Sequence, residues 1–171
     1  MAAVRFELDP DRSEVSIAGS SSVHPINARA SGLEGWLDLS MTRSGVAATP
    51  SATGSVRIAV ERLSSGNPLI DVETRRRMDA GRFPEIVGTV TGSRRLAPDR
   101  LGLAGDIALR GEVQPVTGEL AITLDGDELH LAGEQVFDVR AWGLKPPRIG
   151  LLRVHPEVTV HLEATAVRAS V

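Results

Sequence analysis

Hydrophobic and polar residues alternate along most of this chain, with the two-residue period that is typical of half-buried β-strands. The clearest case is residues 55–63, in which Val56, Ile58 and Val60 share one face while charged residues occupy the other. Such a segment presents one apolar and one solvated face, because successive strand residues point to opposite sides of a sheet. The same pattern predicts extended segments at residues 5–8, 13–18, 26–40, 55–63, 85–96, 101–111, 113–124, 128–142 and 156–167.

These segments indicate an all-β protein with about eight antiparallel strands. They lack the crossover helices of βαβ units, so the pattern favours a sandwich or a closed barrel, and a barrel of about eight strands either fills with side chains or encloses one small ligand. Asp125-Gly126-Asp127 is the strongest hairpin signal. Residues 41–54 are predicted to form a loop or a poorly ordered insertion. With no evident linker, residues 1–171 are expected to form a single domain.

The exception to the strand pattern is residues 67–84, which predict the one inserted helix. Asn67 can cap the helix and Pro68 suits its first position. Gly81 is expected to follow its last turn, and Pro84 prevents any continuation. Acidic residues precede three arginines, as the helix dipole prefers, and they predict the i,i+4 ion pairs Asp71–Arg75 and Glu73–Arg77.

One side of this helix is apolar, because Ile70, Thr74 and Met78 recur at i, i+4 and i+8, with Leu69 nearby. A single helix of about 18 Å among many strands is long enough to lie across the mouth of a small barrel. We therefore predict a helix that covers the mouth. A packed connector between two strands is the alternative.

Composition and charge remove several classes of function. Aromatic residues make up only 3% of the chain and the net charge is −3, which argues against nucleic-acid binding. The absence of cysteine excludes disulfides, thiol catalysis and thiolate metal sites. The N-terminal residues do not resemble a signal peptide, and no apolar run is long enough for a membrane-spanning segment. The expected location is therefore the cytoplasm.

No arrangement of reactive residues in the sequence points to catalysis or to a metal. The histidines do not recur at ligand spacing, and Ser20–Ser22 beside His24 lack the context of a nucleophile elbow. The arginines at 75–77 and 82 can be read as a phosphate-binding patch or as a solvated helix face. We expect no enzyme activity, no metal and no cofactor apart from a bound lipid.

Four segments in order resemble the YceI-like family of bacterial lipocalin-like barrels. These are Phe6-Glu7-Leu8-Asp9-Pro10-Asp11-Arg12-Ser13-Glu14-Val15, the segment from Leu63-Ser64-Ser65-Gly66-Asn67 through Arg82-Phe83-Pro84-Glu85-Ile86, Leu109-Arg110-Gly111-Glu112-Val113-Gln114-Pro115-Val116, and Asp138-Val139-Arg140-Ala141-Trp142-Gly143-Leu144. The resemblance implies a single eight-stranded antiparallel barrel that holds a long apolar lipid, polyisoprenoid or quinone-like, beneath a helical cover. Many members of the family are exported, which differs from the expectation for this N-terminus.

The candidate lipid-binding residues belong to the predicted inward faces and to the mouth. The wall set is Val15, Ile17, Val56, Ile58, Val60, Val158, Val160 and Leu162, and the mouth set is Trp36, Leu69, Ile70, Met78, Phe83, Phe137 and Trp142. The inward set depends on strand register, since a slip of one residue inverts it. The alternative is a barrel filled by these side chains, which acts as a structural or protein-interaction module and forms a homodimer.

Overall fold

The alternating segments form an antiparallel sheet that closes into a barrel in the computed structural model, which describes residues 3–170. A single α-helix is inserted between two strands near the middle of the chain. The elements are β1 (Ala3–Leu8), β2 (Glu14–Ser20), β3 (Pro25–Ser31), β4 (Glu34–Thr42), β5 (Gly45–Val46), β6 (Ala52–Ala59), α1 (Pro68–Arg77), β7 (Glu85–Ala97), β8 (Arg100–Leu109), β9 (Glu112–Asp125), β10 (Glu128–Asp138), β11 (Arg148–Ile149), β12 (Leu152–Arg153) and β13 (Glu157–Arg168).

Eight strands form the ring of the barrel, in the order β1-β4-β6-β7-β8-β9-β10-β13. The ring closes where β13 pairs with β1, with Leu8 opposite Ala166. Further along β13, β2 takes the place of β1, and β3 pairs with the outer edge of β2. The prediction of an eight-stranded antiparallel barrel with one inserted helix is confirmed.

The topology gives the barrel two different ends. The helix end carries α1 and the connections at residues 21–24, 110–111 and 139–156, and α1 contacts β11 there. The hairpin end carries the β7–β8 and β9–β10 turns, the second of which is the predicted turn around Gly126 (φ 61°). No helix among residues 3–170 combines the length and the apolar character needed to span a membrane.

The hairpin end of the barrel is filled with large apolar side chains. Phe6, Leu39, Leu101 and Leu129 are at most 1% exposed, and Ala166 is fully buried beside them. They come from five different ring strands, so they meet in the barrel interior. This end is therefore a packed core.

The helix ends earlier than the sequence predicts. Its start is as expected, because the Asn67 side chain accepts a hydrogen bond of 3.0 Å from the N–H of Leu69. Its last residue is Arg77, and Asp79, not Gly81, takes the left-handed conformation (φ 52°). Aspartate tolerates this conformation better than most residues with a Cβ, so the chain turns without glycine.

Of the two predicted ion pairs of the helix, only Glu73–Arg77 forms, at 2.8 Å. The Asp71 carboxylate instead accepts hydrogen bonds from the backbone N–H (2.9 Å) and the hydroxyl (2.7 Å) of Ser65. The predicted Asp71–Arg75 pair is wrong, because Asp71 fixes the chain that enters the helix.

Two other predictions about the first third of the chain are corrected. Residues 26–40 are two strands, since the chain turns at Gly32 with a φ of 82°, a value that favours glycine. Residues 41–54 are not a poorly ordered insertion: β5 pairs with β4, and Val46 and Ala47 are buried. Their small and apolar side chains pack at the hairpin end.

Strands β9 and β10 separate part of the way along the barrel. They pair from Asp125–Glu128 to Ala121–Ala132, and no further pairing joins them within the described residues. Beyond this point β10 pairs with β13 alone and β9 with β8 alone. We call residues 112–120 and 133–138 the β9–β10 seam.

Candidate functional site

An apolar cavity of about 480 Å³ occupies the half of the barrel nearest the helix end. This volume is within the range of about 300–1,000 Å³ that is usual for small-molecule sites. Along β13 the cavity extends from Val158 to Ala164, a length of about 20 Å at roughly 3.3 Å per residue. The packed residues of the hairpin end close its far side. The interior is thus solid in one half and hollow in the other.

The cavity exists because inward positions in this half carry small residues. Glycine provides no side chain to fill the space, and valine provides a short one. The glycines that border the cavity are Gly19, Gly88, Gly105, Gly118 and Gly133. Two of these inward rows carry leucine at the hairpin end, because the row of Gly105 on β8 leads to Leu101 and the row of Gly133 on β10 leads to Leu129. On these two strands the change in side-chain size coincides with the end of the cavity.

Most of the candidate residues border this cavity. The predicted register of the wall strands is correct, because opposite residues such as Ile17 and Val160 both face inward. Contact with a ligand remains a prediction for all of them. Those whose side chains face the cavity are Val15, Ile17, Val56, Ile58, Val60, Ile70, Met78, Phe137, Trp142, Val158, Val160 and Leu162.

The Trp36 ring does not lie at the mouth of the cavity. It lies beneath the Arg5 guanidinium, 4.0 Å from the ring centroid, and Arg5 forms an ion pair with Asp38. Trp36 alternates with the buried Leu37, so its side chain points to the outer face of the barrel. The prediction that Trp36 shapes the cavity is therefore corrected, because its ring makes a contact on the outer surface of the barrel.

Two further mouth candidates lie outside the cavity. Leu69 is 66% exposed on the outer side of α1, because it precedes the inward Ile70 by one residue. Phe83 is half-buried and packs against Gly111, where a Cβ would lie 2.8 Å from the ring. Phe83 therefore joins the helix segment to the β8–β9 turn and does not line the cavity.

Trp142 forms part of the cavity wall at the helix end. It ends a 3-10 turn, Val139–Trp142, that follows β10 and contacts β9. The indole N–H donates a hydrogen bond of 2.8 Å to the carbonyl of Ile107 on β8. The ring also meets Phe137 edge to face, with centroids 6.0 Å apart. These contacts hold the aromatic pair rigidly against the hollow half of the barrel.

Asp138 positions the turn that carries Trp142. Its carboxylate accepts hydrogen bonds from the guanidinium (2.7 Å) and the backbone N–H (2.9 Å) of Arg140. These two bonds lower the pKa of Asp138 below its usual range. The ionised carboxylate is thus the form that caps the turn.

Acidification is expected to loosen this turn. Because the folded pKa of Asp138 is depressed, its contribution to stability is present above the unfolded pKa of about 4 and is lost as the pH falls through the folded value. With Trp36 replaced by phenylalanine, Trp142 emission should shift to longer wavelength in that acidic range. Asp138→Asn keeps a capping oxygen without the charge, so the shift should disappear. An identical shift in both proteins would contradict this assignment.

Nothing in the residue pattern distinguishes Arg75 from the arginines around it. Arg75 borders the cavity together with Ile70, Asp71 and Thr74 from the same helix and with Met78, the residue that follows the helix. Its Nε atom is shielded from solvent and has no hydrogen-bond partner among the described residues. Arg75 is therefore a cationic group on an apolar cavity wall.

The serines and histidine that are adjacent in the sequence, Ser20–Ser22 and His24, have other partners in the structure. Ser20 contacts His155, with 2.9 Å between Oγ and Nδ1, while His24 Nδ1 lies 2.8 Å from the carbonyl oxygen of Pro25. Among residues 3–170, no three histidine, cysteine or acidic side chains are grouped so that they could hold a metal ion.

Comparison with known structures identifies the same fold in several solved proteins. The crystal structure of BcnA from Burkholderia cenocepacia has a TM-score of 0.77 and 14% sequence identity, covering 94% of this chain and 99% of that chain. A polyisoprenoid binding domain from Saccharophagus degradans, implicated in plant cell wall breakdown, has a TM-score of 0.75 and 12% identity, covering 97% and 99%. The Campylobacter jejuni YCEI protein has a TM-score of 0.63 and 10% identity, covering 77% and 80%.

At these identities the neighbours establish the fold. A search by sequence among curated proteins finds no match. The family model described as the YceI-like domain matches residues 6–166, which is nearly the whole chain. The resemblance found in the sequence is thereby confirmed, and the chain belongs to the YceI-like family.

Proposed function

We propose that this protein binds one long apolar lipid, a polyisoprenoid or a quinone-like molecule, in the hollow half of the barrel, and stores, carries or shields it. The observation that carries the proposal is the elongated cavity of about 480 Å³ with its largely apolar lining. Burial of apolar surface contributes about 25 cal/mol per Å², or roughly 0.8 kcal/mol per methylene group. A chain of several isoprene units therefore needs few polar contacts to bind.

The fold neighbours and the family support this proposal. One neighbour is described as a polyisoprenoid binding domain, and its barrel superimposes along almost the whole of this chain. In addition, α1 contributes Ile70 to the cavity wall, and Met78, the residue that follows α1, also borders the cavity, so a bound chain would be covered on the helix side. We propose the same class of ligand here, without a catalytic step.

Mass spectrometry of the purified protein tests the proposal. Under native conditions we expect one apolar adduct per chain, released by extraction into organic solvent. If the purified protein carries no lipid, it can be titrated with farnesol and with a short-chain ubiquinone while the fluorescence of Trp142 is monitored. These titrations should show saturable binding to one site. A bare mass together with no binding of either compound would overturn the proposed function.

The β9–β10 seam favours a second candidate, a protein-interaction barrel. Val113 and Val136 are 57% and 56% exposed on its two strands, and unpaired strand edges are templates for pairing with another chain. Light scattering coupled to gel filtration would detect the homodimer that this alternative expects. Val136→Lys should then yield monomers. A monomeric wild-type protein would exclude self-association through the seam.

A further inference from the structure

Arg75 places a polar group at the border of a largely apolar cavity. Its Nε atom is shielded from solvent, and no protein group within the described part of the chain accepts a hydrogen bond from it. A buried donor without a partner is destabilising, and more so when the group is charged. Arg95 has a similar Nε atom but does not border the cavity.

The arginines beside Arg75 are neutralised by carboxylates. Arg76 and Arg77 lie 3.0 Å and 2.8 Å from the same oxygen of Glu73. Arg82 pairs with an aspartate at 3.4 Å on the exposed side of the helix segment. Of the four arginines that the sequence offered as an anion site, Arg75 alone has neither an ion pair nor a side-chain hydrogen bond among residues 3–170. It is also the one that borders the cavity.

The carboxylate best placed on the helix to neutralise Arg75 is directed elsewhere. Asp71 lies one turn earlier, but its Oδ1 atom accepts two hydrogen bonds from Ser65. Other charged residues border the cavity on the strands, where alternation directs their side chains outward. Arg57 pairs with Glu34 in this way on the outer surface. Among residues 3–170, Arg75 therefore has no carboxylate partner.

We propose that Arg75 binds an anionic end group of the lipid, a carboxylate or a phosphate. This inference rests on the proposed function and specifies the ligand as an apolar chain with one negatively charged end. Guanidinium is permanently charged and matches both oxyanions with paired N–H donors. The ligand would lie with its end group at α1 and its tail directed towards the packed hairpin end.

Three probes that share one C15 chain test the inference: farnesol, farnesoic acid and farnesyl monophosphate. Their affinities are measured by displacement of Nile red from the wild-type protein, from Arg75→Gln and from Arg76→Gln. A charge-assisted hydrogen bond corresponds to a change of about tenfold or more in affinity. Wild-type protein should therefore bind one or both anionic probes at least about tenfold more tightly than farnesol.

Arg75→Gln should remove this preference, so that the anionic probes bind no more tightly than farnesol does. Arg76→Gln is the matched control, since Arg76 is 74% exposed and should retain the preference. Selectivity for only one anion would support the inference and identify the end group. Equal binding of all three probes by the wild type would overturn the inference while the proposed function stands. A preference that survives in Arg75→Gln would also overturn it, and so would failure of all three probes to bind, whereas the proposed function is decided separately by the adduct and ubiquinone measurements.

Discussion

Replacing Phe6 with alanine is expected to lower the free energy of unfolding by about 3–5 kcal/mol and to leave ligand affinity unchanged. Phe6 is fully buried at the hairpin end, among leucines that fill the barrel completely. Removing its ring creates a cavity in a packed region, so the lost transfer energy and the lost contacts add. Chemical denaturation monitored by circular dichroism measures the effect.

Phe137→Ala is the matched control for this substitution. Phe137 has the same side chain, but it is half-buried and borders the hollow half of the barrel. Its replacement enlarges an existing cavity and removes one edge-to-face contact of about 0.5–1.5 kcal/mol, so stability should fall much less. Affinity for the lipid should fall instead. If the two variants were equally destabilised, the division into a solid and a hollow half would be wrong.

Replacing Val160 with tryptophan is expected to abolish lipid binding and preserve the fold. Val160 points inward near the middle of the cavity wall on β13. An indole ring at this point takes the space of about four methylene groups of the ligand, a loss near 3 kcal/mol at roughly 0.8 kcal/mol each. That energy corresponds to a decrease in affinity of about a hundredfold or more. Because the ring enters empty space, the loss of folding stability should be smaller than the cost of overpacking a filled core, which is about 1–3 kcal/mol.

Thr159→Trp provides the control for this second variant. Thr159 is the preceding residue of β13 and faces the outside of the barrel, so the same ring is added beyond the cavity. Farnesol titration should give wild-type affinity for Thr159→Trp and no measurable binding for Val160→Trp. Retained binding in Val160→Trp would place the ligand outside the barrel.

The strand register was predictable because one face of each strand is buried. Residues such as Val56 and Ile58 alternate with Arg57, and that alternation settles which side faces inward. The same rule would have placed Trp36 on the outer face, because Glu34 and Asp38 flank it at two-residue spacing. The rarity of aromatic residues favoured a cavity position for Trp36, whereas local alternation decides the face.

Other features depend on contacts outside the regular helix spacing or between strands, which local residue patterns do not contain. Helix spacing predicted an Asp71–Arg75 pair, but Ser65 at the entry to the helix takes the carboxylate and leaves Arg75 unpaired. Whether the barrel is hollow depends on several strands together. A signal was present on two strands, because the inward rows of β8 and β10 change from Leu101 and Leu129 at the hairpin end to Gly105 and Gly133 beside the cavity. This signal can be recognised only when the order and register of the strands are known.

The β9–β10 seam makes the barrel wall unequal in its resistance to local opening. Most neighbouring strands are joined by continuous ladders, whereas residues 133–138 have hydrogen-bonded strand neighbours on one side only. The turn after β10 is attached to the neighbouring wall by the Trp142 indole and by Arg110, which donates to the carbonyl of Gly143. Segments with fewer backbone hydrogen bonds open at lower free energy. Amide protons that face the seam should therefore exchange with deuterium sooner than those inside the β10–β13 ladder. Local opening of the barrel wall should accordingly occur along the β9–β10 seam.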